Sequence, residues 1–272
     1  MKHKWTAQTF ERDGVKLRYH KKGAGAALLL LHGITDSGLC WGRTADALAQ
    51  NFTVYALDLR GHGESDAPAS GFAYADYADD AIELLRANDL ADALMMGHSF
   101  GARVGMTMAA AHPARVSKLI LVDPPLFDIP ENVPQDVLDA ERFTWFEWVR
   151  ELQARSRAEL IAQIHDESPN WSEDECAAWA DSKLQVSPRI WQANGVQIAS
   201  AWRATMERIV CPTLLVYGDA ARGSLIDLSL AEQVIARLPY GQAAHVPNAG
   251  HSVHRDEFDA LLFEVNAFLQ TT

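Results

Sequence analysis

Short, largely apolar runs recur along this chain, and each is followed by a segment long enough to form a helix. The runs span residues 27–31, 52–57, 93–96, 118–122, 212–218 and 242–248. Apolar runs of this length are typical of parallel strands buried on both faces. Residues 74–89 and 257–270 carry apolar side chains at helical spacing instead. Alternating strands and helices predict an α/β protein with a doubly wound sheet.

The sheet is expected to begin with an antiparallel hairpin. Asp13-Gly14 is a turn signal, and Val15, Leu17 and Tyr19 alternate with polar residues after it. The chain has 272 residues, of which 48% are hydrophobic. Such a chain suits one large domain or one domain with an insertion.

The alternation of strand and helix patterns stops between Pro124 and about Met206. Residues 140–164 and 172–184 have helical patterns there, and Ser172 with Glu175 is a capping-box sequence. We therefore expect a helical cap, residues 125–206, packed as a lid over a core formed by residues 1–124 and 207–272. Six of the eight tryptophans fall in this cap: Trp145, Trp148, Trp171, Trp179, Trp191 and Trp202.

Most of these tryptophans are expected to supply the buried area that a small helical layer needs. One or two are expected to face a ligand, and Trp145, Trp148 and Trp202 are the candidates. His32 and Gly33 are further candidates for the substrate pocket.

Charge and cysteine content bear on partners and location. The net charge of −12 disfavours nucleic acid and anionic membranes as partners, because both repel an acidic surface. The N-terminal residues lack a signal-peptide layout, and no apolar stretch near them is long enough to span a bilayer, so a cytoplasmic protein is expected. Three scattered cysteines, Cys40, Cys176 and Cys211, predict packing residues rather than a disulfide framework or a zinc site.

The stretch GHSFG, residues 97–101, has the pattern G-x-S-x-G. This pattern is typical of a sharp strand-to-helix turn that exposes a serine hydroxyl, so Ser99 is a candidate nucleophile. An ordinary turn is the alternative for these five residues considered alone.

Backbone donors for an oxyanion are expected at two places. His32-Gly33 follows the third strand, and Phe100 follows Ser99 at the start of a helix. An acyl-transfer enzyme needs N–H groups there, and the donors would be those of Ile34 and Phe100. A plain tight turn is the alternative for His32-Gly33.

Of the ten histidines, His251 is the best placed to take a proton from Ser99, because it lies between the last strand and the last helix. His98, His245 and His254 are expected to be structural or solvated. His62 lies in DLRGHGES, residues 58–65, whose Asp58, Arg60 and Ser65 are expected to hold that loop by hydrogen bonds.

Taken in order, H-G after the third strand, D-x-R-G-x-G-x-S after the fourth, G-x-S-x-G, and N-A-G-H before the last helix resemble the α/β-hydrolase fold family. The resemblance covers nearly the whole chain outside the lid. It implies an eight-stranded, mostly parallel sheet and a triad in the order serine, acid, histidine. A serine at the turn argues against epoxide hydrolases and haloalkane dehalogenases, which attack with aspartate.

The acid has two candidates. In most of the family it follows the seventh strand, but the matching position here falls near Gly223, and Asp219 directly follows Gly218. Asp123 lies at the tip of the sixth strand, beside the Ser99 strand. That arrangement is similar to a subgroup of amidases, the N-formylmaleamate deformylases and acetamidomethylene-succinate hydrolases, and favours Asp123.

The sequence therefore predicts a serine hydrolase of a small ester or amide that needs no metal or organic cofactor. Small carboxylesterases are an equally suitable comparison, since the fold does not fix the substrate. If the amidase resemblance extends to substrate, Arg142, Arg155 or Arg189 would pair with a substrate carboxylate. A hydrolase of C–C bonds in ring-cleavage products and a ligand-binding relative without turnover are the alternatives. Oligomeric state is left open.

Overall fold

The computed structural model describes residues 4–128, 134–191 and 201–270, without the side chains at positions 135, 138, 141 and 142. The strands are β1 (Thr6–Arg12), β2 (Val15–Gly23), β3 (Ala26–Leu31), β4 (Phe52–Leu57), β5 (Ala93–His98), β6 (Val116–Val122), β7 (Thr213–Tyr217) and β8 (Gly241–His245). They form one sheet in the order β1-β2-β4-β3-β5-β6-β7-β8. β2 pairs antiparallel with β1 and β4, and every later pair is parallel. The predicted eight-stranded, mostly parallel sheet is confirmed.

The sheet begins with the predicted hairpin. Asp13 and Gly14 both have positive φ, 50° and 77°, as a two-residue turn between twisted strands requires. Arg12 and Val15 pair across this turn. The Asp-Gly signal therefore fixes the register of the first two strands.

Helices cover both faces of the sheet. Those of the described part of the chain are α1 (Gly42–Leu48), α2 (Tyr74–Ala87), α3 (Phe100–Ala111), α4 (Gln135–Gln153), α5 (Arg157–Glu167), α6 (Glu173–Gln185), α7 (Trp202–Met206), α8 (Leu228–Ile235), α9 (Val253–Asp256) and α10 (Phe258–Gln270). Leu29 and Leu31 of β3 join the apolar cluster that includes α2 and α3, and Leu28 and Leu30 join the one that includes α1 and α10. Successive strand side chains point to opposite faces, so an unbroken apolar run fills both cores.

Helices α4 to α7 lie between β6 and β7. The helical pattern over residues 140–164 is divided into α4 and α5, because Ser156 caps α5 through a capping box with Glu159. The predicted capping box of Ser172 and Glu175 begins α6. These helices also have an apolar cluster of their own: Leu152, Leu160, Ile164, Trp171, Cys176, Trp179 and Ala180. The division into a core and a cap at residues 125 and 206 stays a prediction.

The three cysteines behave as packing residues. Cys40, Cys176 and Cys211 are buried and form no disulfide. Burial raises the pKa of each thiol, which keeps all three protonated near neutral pH.

Candidate active site

The turn at Ser99 joins β5 to α3 through a strained backbone. Ser99 has φ 50° and ψ −117°, a conformation that L side chains rarely adopt. A Cβ added to Gly101 would lie 2.2 Å from the Leu31 carbonyl oxygen, and one added to Gly97 would lie 2.4 Å from the Gly101 oxygen. The two glycines are therefore required for the backbone to pass this close to itself and to β3. The Ser99 N–H donates to the Val122 carbonyl at 2.9 Å, which ties the turn to β6.

Asp123 follows β6 directly, and its carboxylate contacts His251. The distance between Asp123 Oδ2 and His251 Nδ1 is 2.6 Å. Asp123 is completely buried, and its carboxylate also accepts from Ser224 Oγ at 2.6 Å and from Leu225 N–H at 2.9 Å. The Asp123 carboxylate is therefore held in place by contacts with His251, Ser224 and Leu225.

Asp219, the other candidate acid, lies at a different place in the structure. Its Oδ1 accepts from His245 Nε2 at 2.7 Å, and its Oδ2 accepts from the Asn248 N–H at 2.8 Å. The Asn248 N–H and the His245 ring lower the pKa of this carboxyl group. Asp219 therefore links the loop after β7 to the last residue of β8 and to the loop that follows it.

His98 holds the His251 loop next to Ser99. Its Nε2–H donates to the His251 carbonyl at 2.9 Å, and the two rings lie 4.7 Å apart. Burial, and then the charge of His251, places the pKa of His98 well below its ordinary value. His98 is therefore a neutral donor, and because it precedes Ser99 it brings the two loops together.

Ile34 and Phe100 supply backbone N–H groups near the turn. The Asp36 N–H donates to the Gly33 carbonyl at 3.0 Å, which closes a turn around Ile34, and His62 Nε2 donates to the Ile34 carbonyl at 2.6 Å. Phe100 is the first residue of α3, where an N–H has no partner inside the helix. Within residues 4–128, 134–191 and 201–270, neither N–H donates a hydrogen bond to a protein acceptor.

His32 supports this loop from inside. Its Nδ1–H donates to the Gly33 carbonyl at 2.8 Å, and its Nε2 accepts from the Leu59 N–H at 3.1 Å. Burial first, and then the neighbouring His62, lowers its pKa to about 4. Both ring nitrogens thus bond within the protein, and a place for His32 in the substrate pocket stays a prediction.

The residues of the 58–65 loop hold each other as expected. Asp58 Oδ1 accepts from the Gly38 N–H at 2.7 Å, which links this loop to the one after β3. Ser65 Oγ donates to the Asp58 carbonyl at 2.6 Å. Arg60 forms two bonds of 2.6 Å with the buried Asp80 of α2.

The candidate pocket tryptophans have different environments. Trp145 and Trp148 of α4 pack edge to face with ring centroids 5.6 Å apart. Trp145 is half-buried, whereas Trp148 is exposed. Trp202 is buried, and its Nε1–H donates to Asp128 at 3.2 Å. Their role, like that of Gly33, in binding a substrate stays a prediction.

The candidate lid arginines bind other parts of the protein. Arg155 donates to Gln163 at 2.6 Å, and Arg189 donates to the Ala67 carbonyl at 2.7 Å. The Arg142 side chain lies outside the described residues. The structure therefore offers no support for Arg155 or Arg189 as the partner of a substrate carboxylate.

Sequence reasoning missed a buried cluster beside the Ser99 turn. Asp36, His98 and His254 place three candidate metal-ligand atoms within 4.8 Å of one another. Asp36, however, already forms ion pairs of 2.9 Å with Lys183 and with Arg255. Two cations on this carboxylate oppose a metal ion by charge repulsion, so we assign no metal to the cluster.

The missed contacts had little signal in the sequence. Asp36 lies within HGITDSG, residues 32–38, next to a predicted oxyanion donor, which is a weak signal. Its bonds to Lys183 and Arg255 cross 147 and 219 positions of the chain. Ser224, which binds Asp123, lies one position beyond the place where the family's usual acid would fall.

The eight-stranded, mostly parallel sheet with helices on both faces is the fold of one class of enzymes. The profile of the alpha/beta hydrolase family matches residues 28–264, so the chain belongs to this family and is a hydrolase. It is 27% identical over 264 residues to the 2-(acetamidomethylene)succinate hydrolase of Mesorhizobium japonicum. This match covers 94% of this chain and 92% of the relative. It is 28% identical over 276 residues to the N-formylmaleamate deformylase of Pseudomonas putida, which covers 94% of each.

A solved structure gives the same result. The crystal structure of an esterase from a Rhodococcus species has a TM-score of 0.75 at 25% identity, and the match covers 100% of this chain and 99% of that one. These findings confirm the resemblance drawn from the motifs. None of the helices in the described ranges has both the length and the apolar character needed to cross a bilayer.

Proposed function

We propose that the protein is a serine hydrolase that cleaves a small ester or amide through an acyl-enzyme intermediate. Ser99 is the nucleophile, His251 the general base and Asp123 the acid that orients His251. The observation that carries this proposal is the 2.6 Å contact between Asp123 Oδ2 and His251 Nδ1, beside the strained turn at Ser99. An imidazole whose Nδ1–H is held by a carboxylate presents a basic Nε2 to its other side.

The reaction has two halves. Ser99 Oγ attacks the substrate carbonyl carbon while its proton passes to His251 Nε2, and the Ile34 and Phe100 N–H groups bind the resulting oxyanion. The tetrahedral adduct then collapses, the C–O or C–N bond breaks, and His251 returns the proton to the leaving alkoxide or amine. Water, activated by His251, attacks the acyl-enzyme and releases the acid product. Every step uses side-chain and backbone groups of this chain.

The comparisons support an acyl substrate. The names of the two relatives denote hydrolysis of 2-(acetamidomethylene)succinate and removal of a formyl group from N-formylmaleamate, and the Rhodococcus structure is that of an esterase. An acyl–nitrogen or acyl–oxygen bond is common to these reactions. We propose a small molecule of this kind as the substrate and the cytoplasm as the location of the protein.

The test combines a covalent probe with a substrate panel. A fluorophosphonate should label the parent protein, and Ser99→Ala should abolish both labelling and hydrolysis of p-nitrophenyl esters or aryl amides, because the variant loses the attacking hydroxyl. The fold should be retained, since only the Ser99 Oγ atom is removed and the backbone of the turn is unchanged. Labelling that persists in Ser99→Ala would reject Ser99 as the nucleophile. Turnover of vinylogous diketones without turnover of esters or amides would move the assignment to C–C bond hydrolysis.

A further inference from the structure

Two buried cationic side chains bind the loop after β3. Lys183 Nζ donates to the Thr35 carbonyl and to Asp36 Oδ1, both at 2.9 Å. Arg255 Nη2 donates to Asp36 Oδ2, also at 2.9 Å. Lys183 and Arg255 are 1% and 3% exposed, so water does not screen these contacts.

The two cations come from different parts of the chain. Lys183 lies on α6, within the helical segment between β6 and β7, and Arg255 lies on α9, in the turn that follows His251. Each also lies over an indole ring, Lys183 over Trp179 at 4.9 Å and Arg255 over Trp171 at 4.7 Å. The Asp36 carboxylate therefore joins three separate segments at one point.

A buried cluster of three charges such as Asp36, Lys183 and Arg255 is not an efficient source of folding stability. Transferring three charges out of water is costly, and well-packed apolar side chains often stabilise a protein as much. The cluster is nevertheless bonded at both carboxylate oxygens, and the cations Arg255 and Lys183 hold the pKa of Asp36 well below its ordinary value despite its burial. An ionised Asp36 that is bonded at both carboxylate oxygens fixes the geometry of the loop after β3.

The position of Asp36 is linked to the direction of the Ile34 N–H through one peptide unit. The Asp36 N–H donates to the Gly33 carbonyl, and this carbonyl belongs to the peptide unit that contains the Ile34 N–H. Because a trans peptide is planar, its N–H points opposite to its C=O. Holding Asp36 therefore holds the direction of the Ile34 N–H.

We propose that Lys183 and Arg255 are positioning residues for the oxyanion hole, acting through Asp36 on the Ile34 N–H. The inference rests on the proposed function and adds that α6 contributes to transition-state stabilisation without contacting the substrate. Packing of α6 is thereby coupled to catalysis, because Lys183 belongs to that helix.

The test measures how strongly the carbonyl oxygen is recognised. Sulfur accepts hydrogen bonds poorly, so an enzyme with an intact oxyanion hole should hydrolyse an oxoester faster than the matching thionoester. Lys183→Met should lower kcat for the oxoester about 10- to 100-fold with little change in KM, since a misplaced donor costs less than the ~10²- to 10³-fold of a deleted one. The ratio of oxoester to thionoester rates should fall in parallel.

Two further variants provide controls. Asp181→Asn breaks the exposed pair with Arg157, two positions from Lys183 on the same helix, and should leave kcat and the ratio unchanged. Lys183→Arg keeps the charge and should recover part of the ratio. If Lys183→Met does not fold, Arg255→Lys is the second variant: its shorter side chain weakens the contact with Asp36, and the ratio of oxoester to thionoester rates should fall.

The result that overturns the inference is an unchanged ratio in a folded Lys183→Met or Arg255→Lys protein whose kcat has fallen, because that loss would be merely structural. Failure of the proposed function gives a different result. In that case the parent protein itself would show neither Ser99 labelling nor oxoester hydrolysis.

Discussion

At the scale of the residue, both the backbone and the carboxylate of Asp123, the acid that contacts His251, are fixed by hydrogen bonds. Asp123 has a positive φ of 43°, so the backbone there is strained in the same sense as at Ser99. Its N–H donates to the Val216 carbonyl at 2.8 Å, and its carboxylate has donors from Ser224 and Leu225. These bonds leave Oδ2 directed at His251 Nδ1.

The first prediction concerns the choice between the two aspartates. Asp123→Asn should lower kcat by at least ~10²-fold, because the amide favours the wrong imidazole tautomer and removes the charge that stabilises the imidazolium; the equivalent change in a serine protease costs ~10⁴-fold. Asp219→Asn is the matched control and should be mild, since its partners are His245 and Asn248. Steady-state kinetics of both variants decide the matter. If Asp219→Asn lost activity while Asp123→Asn kept it, the triad acid would be assigned to the loop after β7.

At the scale of the element, the β5–α3 connection shows why a five-residue motif was informative. The glycines of the motif are required by contacts with β3 and with the motif's own backbone, so the pattern reports a physical constraint. The apolar runs of β3 to β7 were equally informative, because strands buried on both faces leave no place for alternating polar side chains. The break at Ser156 and the Lys183–Asp36 contact were not predictable in this way: the first depends on one cap within a continuous helical pattern, and the second on packing between distant segments.

Gly101→Ala should damage this connection. Its Cβ would lie 2.2 Å from the Leu31 carbonyl oxygen, where only backbone movement relieves the clash. We expect a loss of about 1–3 kcal/mol in the free energy of unfolding together with loss of hydrolysis, measured by urea denaturation and by initial rates. Gly42→Ala is the control: it also lies at the start of a helix, but an added Cβ has no neighbour within 4 Å. Equal stability of the two variants would contradict the proposed constraint.

At the scale of the whole molecule, the buried histidines make stability depend on pH. Burial is the first cause that lowers the pKa of His32, His62, His98 and His254 in the folded protein. These histidines therefore take up protons in the unfolded chain as the pH falls below 6.5, whereas in the folded chain they do not. The free energy of unfolding consequently decreases on acidification. The net charge of −12 acts in the opposite direction, because acidification reduces self-repulsion.

The sign of this dependence is the next prediction. For His32, whose pKa falls from 6.5 to about 4 on folding, the free energy of unfolding should decrease by about 2 kcal/mol between pH 7.5 and pH 5. Asp36 contributes in a lower window, since its pKa lies below 3.8 in the folded protein. Urea midpoints at the two pH values measure the effect. His32→Asn should be less stable at pH 7.5 yet lose less on acidification; stability that rises toward pH 5 in the parent would contradict the account.

Ser224 Oγ and Asp123 Oδ1 lie 2.6 Å apart, although Asp123 directly follows β6 and Ser224 lies in the loop after β7. The side chain after β7 thus reaches the same point as the side chain after β6, and a carboxylate presented from either strand end could serve one imidazole. A lineage could therefore move its acid from one strand to the other without altering the fold. A chain with a carboxylate at both positions would place two like charges in contact, so one of the two would stay protonated.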